Sequence, residues 1–202
     1  MPESSLHTIS PFGAGLKPGQ FGNRFEGISP IAIKECVGLE LYVISAASGK
    51  GGDIVKQVRV LTGLDLPTGP KRMSKDGLSL IGTAPGQWPA VADGEAGRKT
   101  FDELANALSG LATTADISDG KAVLRVSGPC IRDALAKGCS LDLHPRAFKP
   151  GDAATTAVAL IDCQIWQLDE APTYELAVPS SFAESFWHWL TMSAAEFGYT
   201  VE

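Results

Sequence analysis

Residues 116–151 read D-I-S-D-G-K-A-V-L-R-V-S-G-P-C-I-R-D-A-L-A-K-G-C-S-L-D-L-H-P-R-A-F-K-P-G, and this stretch decides the fold. Apolar residues at positions 122, 124 and 126 alternate with Lys121 and Arg125, which is the two-residue period of a strand with one buried face. A strand is therefore predicted over about 121–126, with the two basic residues on its other face.

The second part of this stretch predicts a helix and then an extended return. Ser127 is suited to cap a helix over 129–137, and Gly138 is suited to end it in the left-handed conformation. Pro145 disfavours a helical residue before it, so the chain is expected to run extended towards it.

The first half of the chain carries the same kinds of signal. The hydrophobic pattern predicts a strand at 38–45, a helix at 53–62, strands at 78–81 and 88–92, and a second helix along an apolar stripe from Phe101 to Leu111, ended near Gly110. The hydrophilic segment K-R-M-S-K-D-G at 71–77 is expected to be a solvated loop.

The second half repeats this order at a spacing of about eighty residues. Extended structure is predicted near 155–168 and at 173–178, followed by a last helix at 181–196. The predicted fold class is α+β, built from a duplicated β-α-β-β-α (ferredoxin-like) unit. The expected organisation is an extended Gly/Pro-rich arm at 1–30, a first half at 31–115 and a second half at 116–202.

Residues 116–151 resemble the signature stretch of the gamma subunit of heterotetrameric sarcosine oxidase, a family similar in fold to the folate-binding domain of the glycine cleavage T protein. The segment S-F-A-E-S-F-W-H-W-L at 181–190 resembles the family's C-terminal helix, and G-T-A-P-G-Q-W-P-A-V at 82–91 is similar to it in the first half. The family usually has an acidic residue before its Trp, where this chain has Gly86-Gln87.

The resemblance implies an accessory, non-catalytic subunit with alpha, beta and delta subunits as partners. The complex would oxidatively demethylate sarcosine to glycine with oxygen as acceptor, giving peroxide and methylene-tetrahydrofolate. The resemblance also implies that FAD, FMN, NAD, tetrahydrofolate and zinc belong to the other subunits, with no cofactor in this chain. Two alternatives stay open: a stand-alone folate-binding or aminomethyltransferase-like protein, and the equivalent subunit of another N-methyl amino acid oxidoreductase, such as N-methylglutamate dehydrogenase.

Composition limits the partners of the chain. Its 202 residues have a net charge of -6, which argues against a nucleic-acid partner. No apolar run reaches membrane-spanning length, and the N-terminus lacks a basic region followed by an apolar core, so a cytoplasmic location is expected.

The four cysteines Cys36, Cys130, Cys139 and Cys163 are scattered and show no metal-ligand spacing, so no metal site is predicted. Cys130 falls in the first turn of the predicted helix, where the helix dipole lowers a thiol pKa, but a small buried apolar role is the favoured interpretation.

Aromatic side chains supply the candidate partner interface. Phe12, Phe21 and Phe25 lie in an arm with no apolar periodicity, so it is either a disordered tail or, as favoured, a segment ordered on a partner. Trp187 falls on the flank of the last helix, where either a partner or its own domain would cover it.

No catalytic residue and no cofactor-binding residue is predicted. The chain has no G-x-G-x-x-G run and no G-x-S-x-G elbow, and S-G-K-G-G at 48–52 lacks the Ser or Thr that follows Lys in a phosphate-binding loop. Asp116 and Asp119 are candidates for paired carboxylates, with turn chemistry as the favoured interpretation. His144 and Arg146 could bind an anion, although a hydrogen bond of His144 to a carbonyl at the strand end is favoured.

Overall fold

The computed structural model describes residues 10–27 and 29–202, and it places two β-sheets face to face with helices on their outer sides. The first half contributes β3 (Leu39–Ala46), α1 (Gly51–Thr62), β4 (Arg72–Lys75), β5 (Leu78–Ile81), β6 (Gln87–Asp93), α2 (Gly94–Ala107) and β7 (Ala112–Asp116). These strands form a five-stranded sheet in the order β4-β5-β6-β3-β7.

The second half forms a larger sheet. It contributes β8 (Lys121–Ser127), α3 (Ile131–Ala136), β9 (Ala153–Val158), β10 (Ile161–Asp169), β11 (Thr173–Pro179), α4 (Ala183–Ala194) and β12 (Tyr199–Val201), and the N-terminal segment adds β1 (Gly19–Phe21) and β2 (Ala32–Glu35). The seven strands follow the order β1-β12-β2-β8-β11-β10-β9.

The two halves share one order of elements, β-α-β-β-β-α-β, so the predicted α+β fold of two similar units is confirmed, with two strands more per unit than predicted. In the first sheet β3 pairs directly with β7, whereas in the second β2 is inserted between the corresponding strands β8 and β12. The expected boundary at residue 31 assigns β2 to the first half, but its hydrogen bonds tie it to the sheet of the second. The remaining domain division stays a prediction.

Each sheet buries one face under its helices. In the five-stranded sheet, Ile54 and Val58 of α1 and Leu104 of α2 share a core with Ile44 of β3. Their spacing of three or four residues sets them on the inner side of each helix. In the larger sheet α3 and α4 cover the outer face in the same way.

The other faces of the two sheets pack against each other. This inner layer is built of buried side chains from both halves: Leu41, Ile81, Val91, Val123, Ala153, Trp166 and Ala177. Val123 lies between Lys121 and Arg125 in sequence and is 4% exposed. The prediction that β8 has one buried face is therefore wrong, because its second face meets the other sheet.

Three local predictions are corrected. The expected loop at 71–77 contains strand β4, which pairs with β5 and turns at Asp76-Gly77. The extended stretch near 155–168 is a hairpin, since Ala159 and Leu160 both adopt positive φ and reverse the chain between β9 and β10.

The third correction concerns the ends of α3. The helix begins at Ile131 with Cys130 at its N-cap, so Ser127, the last residue of β8, does not cap it. Gly138 lies outside the left-handed region, and its lack of a side chain instead admits the Trp189 ring, 2.6 Å from where a Cβ would stand.

The N-terminal segment packs on its own chain, which corrects the expectation of an arm without a core. Phe12 is 1% exposed and belongs to the same core cluster as Phe186 and Leu190 of α4. Strand β1 pairs antiparallel with β12, and the Asn23 N–H donates to the Ala195 carbonyl at 2.8 Å. The predicted arm residues 1–9 and 28 lie outside the described residues.

We predict that Phe12→Ala lowers the free energy of unfolding by about 3–5 kcal/mol, because it empties a fully buried position. Phe21→Ala is the matched control: Phe21 is 40% exposed, so we expect a loss of about 1 kcal/mol. Urea denaturation of the isolated chain measures both. Equal effects of the two substitutions would contradict the packing of the N-terminal segment described here.

Candidate functional site

The structure separates the four aromatic residues predicted to contact a partner into two kinds. Phe12 and Trp187 are 1% and 7% exposed, and both belong to the core of the larger sheet. The prediction that these two side chains face a partner is corrected, since the chain's own residues cover them.

Phe21 and Phe25 lie nearer the surface of the same sheet, close to β12 and the turn before it. Phe21 stacks on Tyr199 with ring centroids 5.5 Å apart and stays partly exposed. Phe25 is half-buried against the turn at Gly198. A role of these two residues in partner contact stays a prediction.

The predicted carboxylate pair is engaged in a turn. Asp116 Oδ1 accepts hydrogen bonds from the Ser118 N–H at 2.9 Å and the Ser118 hydroxyl at 2.6 Å, and these bonds lower the pKa of Asp116. The Asp119 carbonyl accepts the Ser180 hydroxyl at 2.9 Å. This is the favoured turn interpretation, and Asp116 is held in its ionised form rather than poised as a general acid.

His144 also serves its own loop. Its Nδ1 accepts the Arg146 N–H at 3.2 Å, and its backbone N–H donates to Asp142 Oδ1 at 2.9 Å. Both hydrogen bonds are exposed and join residues of one loop. The His144 ring therefore stabilises its own turn and does not bond to the expected carbonyl at the strand end.

A buried polar cluster beside the inner layer was missed by the sequence analysis. Glu175 of β11 has a side chain 4% exposed, and its Oε1 accepts from Arg125 of β8 at 2.5 Å (Nη2) and 3.1 Å (Nε). Trp166 of β10 donates its Nε1–H to Glu175 Oε2 at 2.5 Å. Both oxygens of the buried carboxylate are thereby satisfied by charge-assisted bonds.

Cys36 and Arg72 border this cluster. The Cys36 Sγ lies 4.0 Å from Glu175 Oε1, and burial, with the negative charge of Glu175, raises the pKa of the thiol to about 11. Arg72 reaches in from β4 of the other sheet; its Nε is buried without a hydrogen-bond partner in the described part of the chain, and burial lowers the pKa of its guanidinium.

The pairing of β8 with β11 explains the ion pair at the centre of this cluster. Arg125 and Glu175 stand directly opposite each other on β8 and β11, an arrangement typical of a cross-strand ion pair. The sequence gives no register between strands fifty residues apart. The cluster therefore could not be assembled from the sequence alone. With both carboxylate oxygens paired, it fits a structural role within the larger sheet.

The loop that resembles the family in the first half lines a cavity of about 310 Å³. Pro85 and Gly86 occupy the centre of a turn closed by the Gln87 N–H donating to the Ala84 carbonyl at 3.1 Å, and Gly86 has a φ of 76°. A positive φ at this turn position favours glycine. A glycine at position 86, where the family usually has an acidic residue nearby, therefore fits the positive φ that this turn requires.

Within residues 10–27 and 29–202, no group of three or more His, Cys, Asp or Glu side chains is placed to hold a metal ion. No helix in the same part of the chain has the length and apolar character needed to cross a membrane.

Taken together, these features define a mixed α+β protein of two similar units whose inner face is filled by side chains. Residues 47–196 match the sarcosine oxidase gamma subunit family. The chain belongs to this family.

Relatives and solved structures agree with this assignment. The chain is 34% identical over 155 residues to the sarcosine oxidase subunit gamma of Corynebacterium sp. (strain P-1), covering 76% of this chain and 75% of that protein. It matches a chain of the heterotetrameric sarcosine oxidase from Corynebacterium sp. U-96, in complex with pyrrole 2-carboxylate, with a TM-score of 0.73 and 26% identity, over 83% of this chain and 85% of that one.

The predicted likeness to the T protein fold is also confirmed. The glycine cleavage system aminomethyltransferase T from Bartonella henselae matches with a TM-score of 0.61 and 16% identity, over 81% of this chain and 46% of that one. At this identity the likeness concerns the fold alone.

We predict that Glu175→Gln lowers the free energy of unfolding by about 2 kcal/mol, because one of the two buried oxygens that accept from Arg125 and Trp166 is replaced by an NH₂ donor. Asp162→Asn is the matched control. It removes the more exposed ion pair with Lys121, whose Asp162 side chain is 58% exposed, and we expect a loss of about 0.5 kcal/mol. A chemical denaturation curve for each variant measures the difference. Similar losses would show that the Glu175 cluster contributes no more to the free energy of unfolding than an exposed ion pair does.

We also predict that Cys36 alkylates slowly. With a pKa of about 11, the thiolate at pH 8 is on the order of a thousandth of the population. Glu175→Gln removes a negative charge that raises this pKa, so labelling of Cys36 should become faster. Mass spectrometry of iodoacetamide-treated protein at several pH values measures the labelling rate. Rapid labelling of Cys36 at pH 8 in the unaltered chain would contradict its burial and its raised pKa.

Proposed function

We propose that this chain is the accessory, non-catalytic gamma subunit of a heterotetrameric sarcosine oxidase. The observation that carries the proposal is the match over 83% of this chain to a chain of a heterotetrameric sarcosine oxidase, together with membership of the gamma subunit family. The proposed partners are the alpha, beta and delta subunits.

The proposed complex oxidises sarcosine to glycine with oxygen as acceptor and delivers the one-carbon unit to tetrahydrofolate. FAD, FMN, NAD, tetrahydrofolate and zinc are proposed to lie on the other subunits. Two features of this chain support an accessory role: the inner face between the sheets is filled by Trp166 and its neighbours, and the buried carboxylate of Glu175 is occupied by Arg125 and Trp166.

A cytoplasmic location is part of the proposal. All four cysteines are free thiols, and Cys139 and Cys163 are buried. Free thiols are typical of proteins in a reducing compartment.

We expect the chain to co-purify with the alpha, beta and delta subunits when the four are expressed together, and to elute with them in size-exclusion chromatography. The complex should oxidise sarcosine, and a preference for N-methylglutamate would reassign the substrate without changing the subunit role. A chain that elutes alone at every ratio of subunits would contradict the proposal.

The same preparation tests a stand-alone folate-binding role. A ligand that binds the folded state raises the melting temperature, so tetrahydrofolate should leave the melting temperature of the isolated chain unchanged if the accessory role is right. An increase that depends on tetrahydrofolate concentration would favour the folate-binding alternative.

A further inference from the structure

The edge strand β7 differs from the other sheet edges of the described chain. At β4, the Arg72 N–H donates to the Gly151 carbonyl at 2.7 Å, which ties that edge to the larger sheet. At β9, Val158 is bridged by Cys139, and β1 is only three residues long. Strand β7 has five residues, and in the described part of the chain it pairs only with β3.

The register shows which backbone groups of β7 are free. The Ile117 N–H donates to the Leu41 carbonyl at 2.8 Å, and the Ala47 N–H donates to the Leu111 carbonyl at 2.8 Å. In an antiparallel pair, residues alternate between bonding to the partner strand and pointing away from it. Odd-numbered residues of β7 therefore bond to β3, while the N–H and C=O groups of Thr114 and Asp116 point outwards.

These outward groups are open to another chain. Residues 113–116 are exposed on both faces of the sheet. The strand carries no Lys, no Pro and no bulge, features that usually protect a sheet edge from pairing, and its one charged residue, Asp116, is its last. A row of N–H and C=O groups about 7 Å apart, two residues at roughly 3.4 Å each, is complementary to an extended backbone.

The fold already completes its other sheet in this way. In the larger sheet, the position next to the central strand β8 is filled by β2, and the edge beyond β12 is filled by β1; both come from the N-terminal segment. Within residues 10–27 and 29–202, the five-stranded sheet has no such addition at β7.

We propose that an extended segment of another subunit adds to β7 as a sixth strand of this sheet. The inference rests on the proposed function, which supplies the partner chains. A second copy of this chain is a poorer occupant, because two molecules with a net charge of -6 each repel one another.

Hydrogen exchange of the unaltered chain, alone and in the assembled complex, tests the proposal at single-residue resolution. In the isolated chain, the amides of Thr114 and Asp116 should exchange at least about tenfold faster than those of Thr113 and Ala115, which bond to β3. In the complex, Thr114 and Asp116 should become protected by a similar factor. Unchanged exchange of both amides in the complex would overturn the proposal.

A pair of variants at one position provides an independent test. Thr114→Pro removes the outward N–H without removing a bond to β3, and Thr114→Val keeps that N–H. We expect Thr114→Pro to weaken assembly about fivefold or more, with Thr114→Val close to the unaltered chain. If the proline variant fails to fold, the exchange experiment decides alone; if both variants fold and assemble equally well, the proposal fails.

The outcomes separate this inference from the proposed function. A chain that never assembles contradicts the proposed function. A chain that assembles while Thr114 and Asp116 stay unprotected contradicts only the β7 inference. Protection of these amides in a dimer of the isolated chain would identify a second copy as the occupant and would also overturn the proposal.

Discussion

The structure depends on the burial of a second face by each of its two sheets. Helices cover one face of each sheet, which leaves two apolar faces that only each other can shield from water. Trp166, fully buried, and Val123 are at the centre of this contact, next to small residues such as Ala153 and Ala177 that allow the sheets to approach. Burial of apolar surface stabilises by roughly 25 cal/mol per Å², so this contact helps to hold the two halves together.

The polar cluster at the border of this layer follows from the same constraint. A carboxylate such as Glu175 is costly to bury unless its oxygens are bonded. Arg125 and Trp166 supply those bonds from the two neighbouring strands of the same sheet, and Arg72 brings a positive charge from the other sheet. The hydrogen bonds of Glu175 therefore fix β8, β10 and β11 relative to one another within the larger sheet, while the apolar residues of the inner layer hold the two sheets together.

Much of the fold was predictable from periodicity. The strand at 121–126, the helix at 53–62 and the repeat of about eighty residues all follow from local patterns, and the structure contains each of them within a few residues. Local patterns failed where distant residues decide the outcome. Arg125 was predicted to lie on an open face because its partner Glu175 is fifty residues away in sequence. The hairpin at Ala159-Leu160 was missed because it lacks the glycine or asparagine that usually marks a tight turn.

The candidate interface shows the same limit. Phe12 and Trp187 each looked uncovered because their local sequences offer no partner, yet they share one core across 175 positions of the chain. Phe21 and Phe25 also pack towards the C-terminal strand but stay nearer the surface. The sequence could not tell which of these aromatic residues the chain itself would cover. The family resemblance, by contrast, rested on contiguous stretches and was confirmed.

The pairing of β1 with β12 joins residues 19–21 to residues 199–201, almost the two ends of the chain. Contacts of such high sequence separation are slow to form, because a long loop must close before they stabilise anything. The larger sheet can be completed only after β12 has been synthesised and has left the ribosome. All strands of the five-stranded sheet lie within 39–116, so vectorial synthesis lets this sheet form before β12, the partner of β1 and β2, has been made.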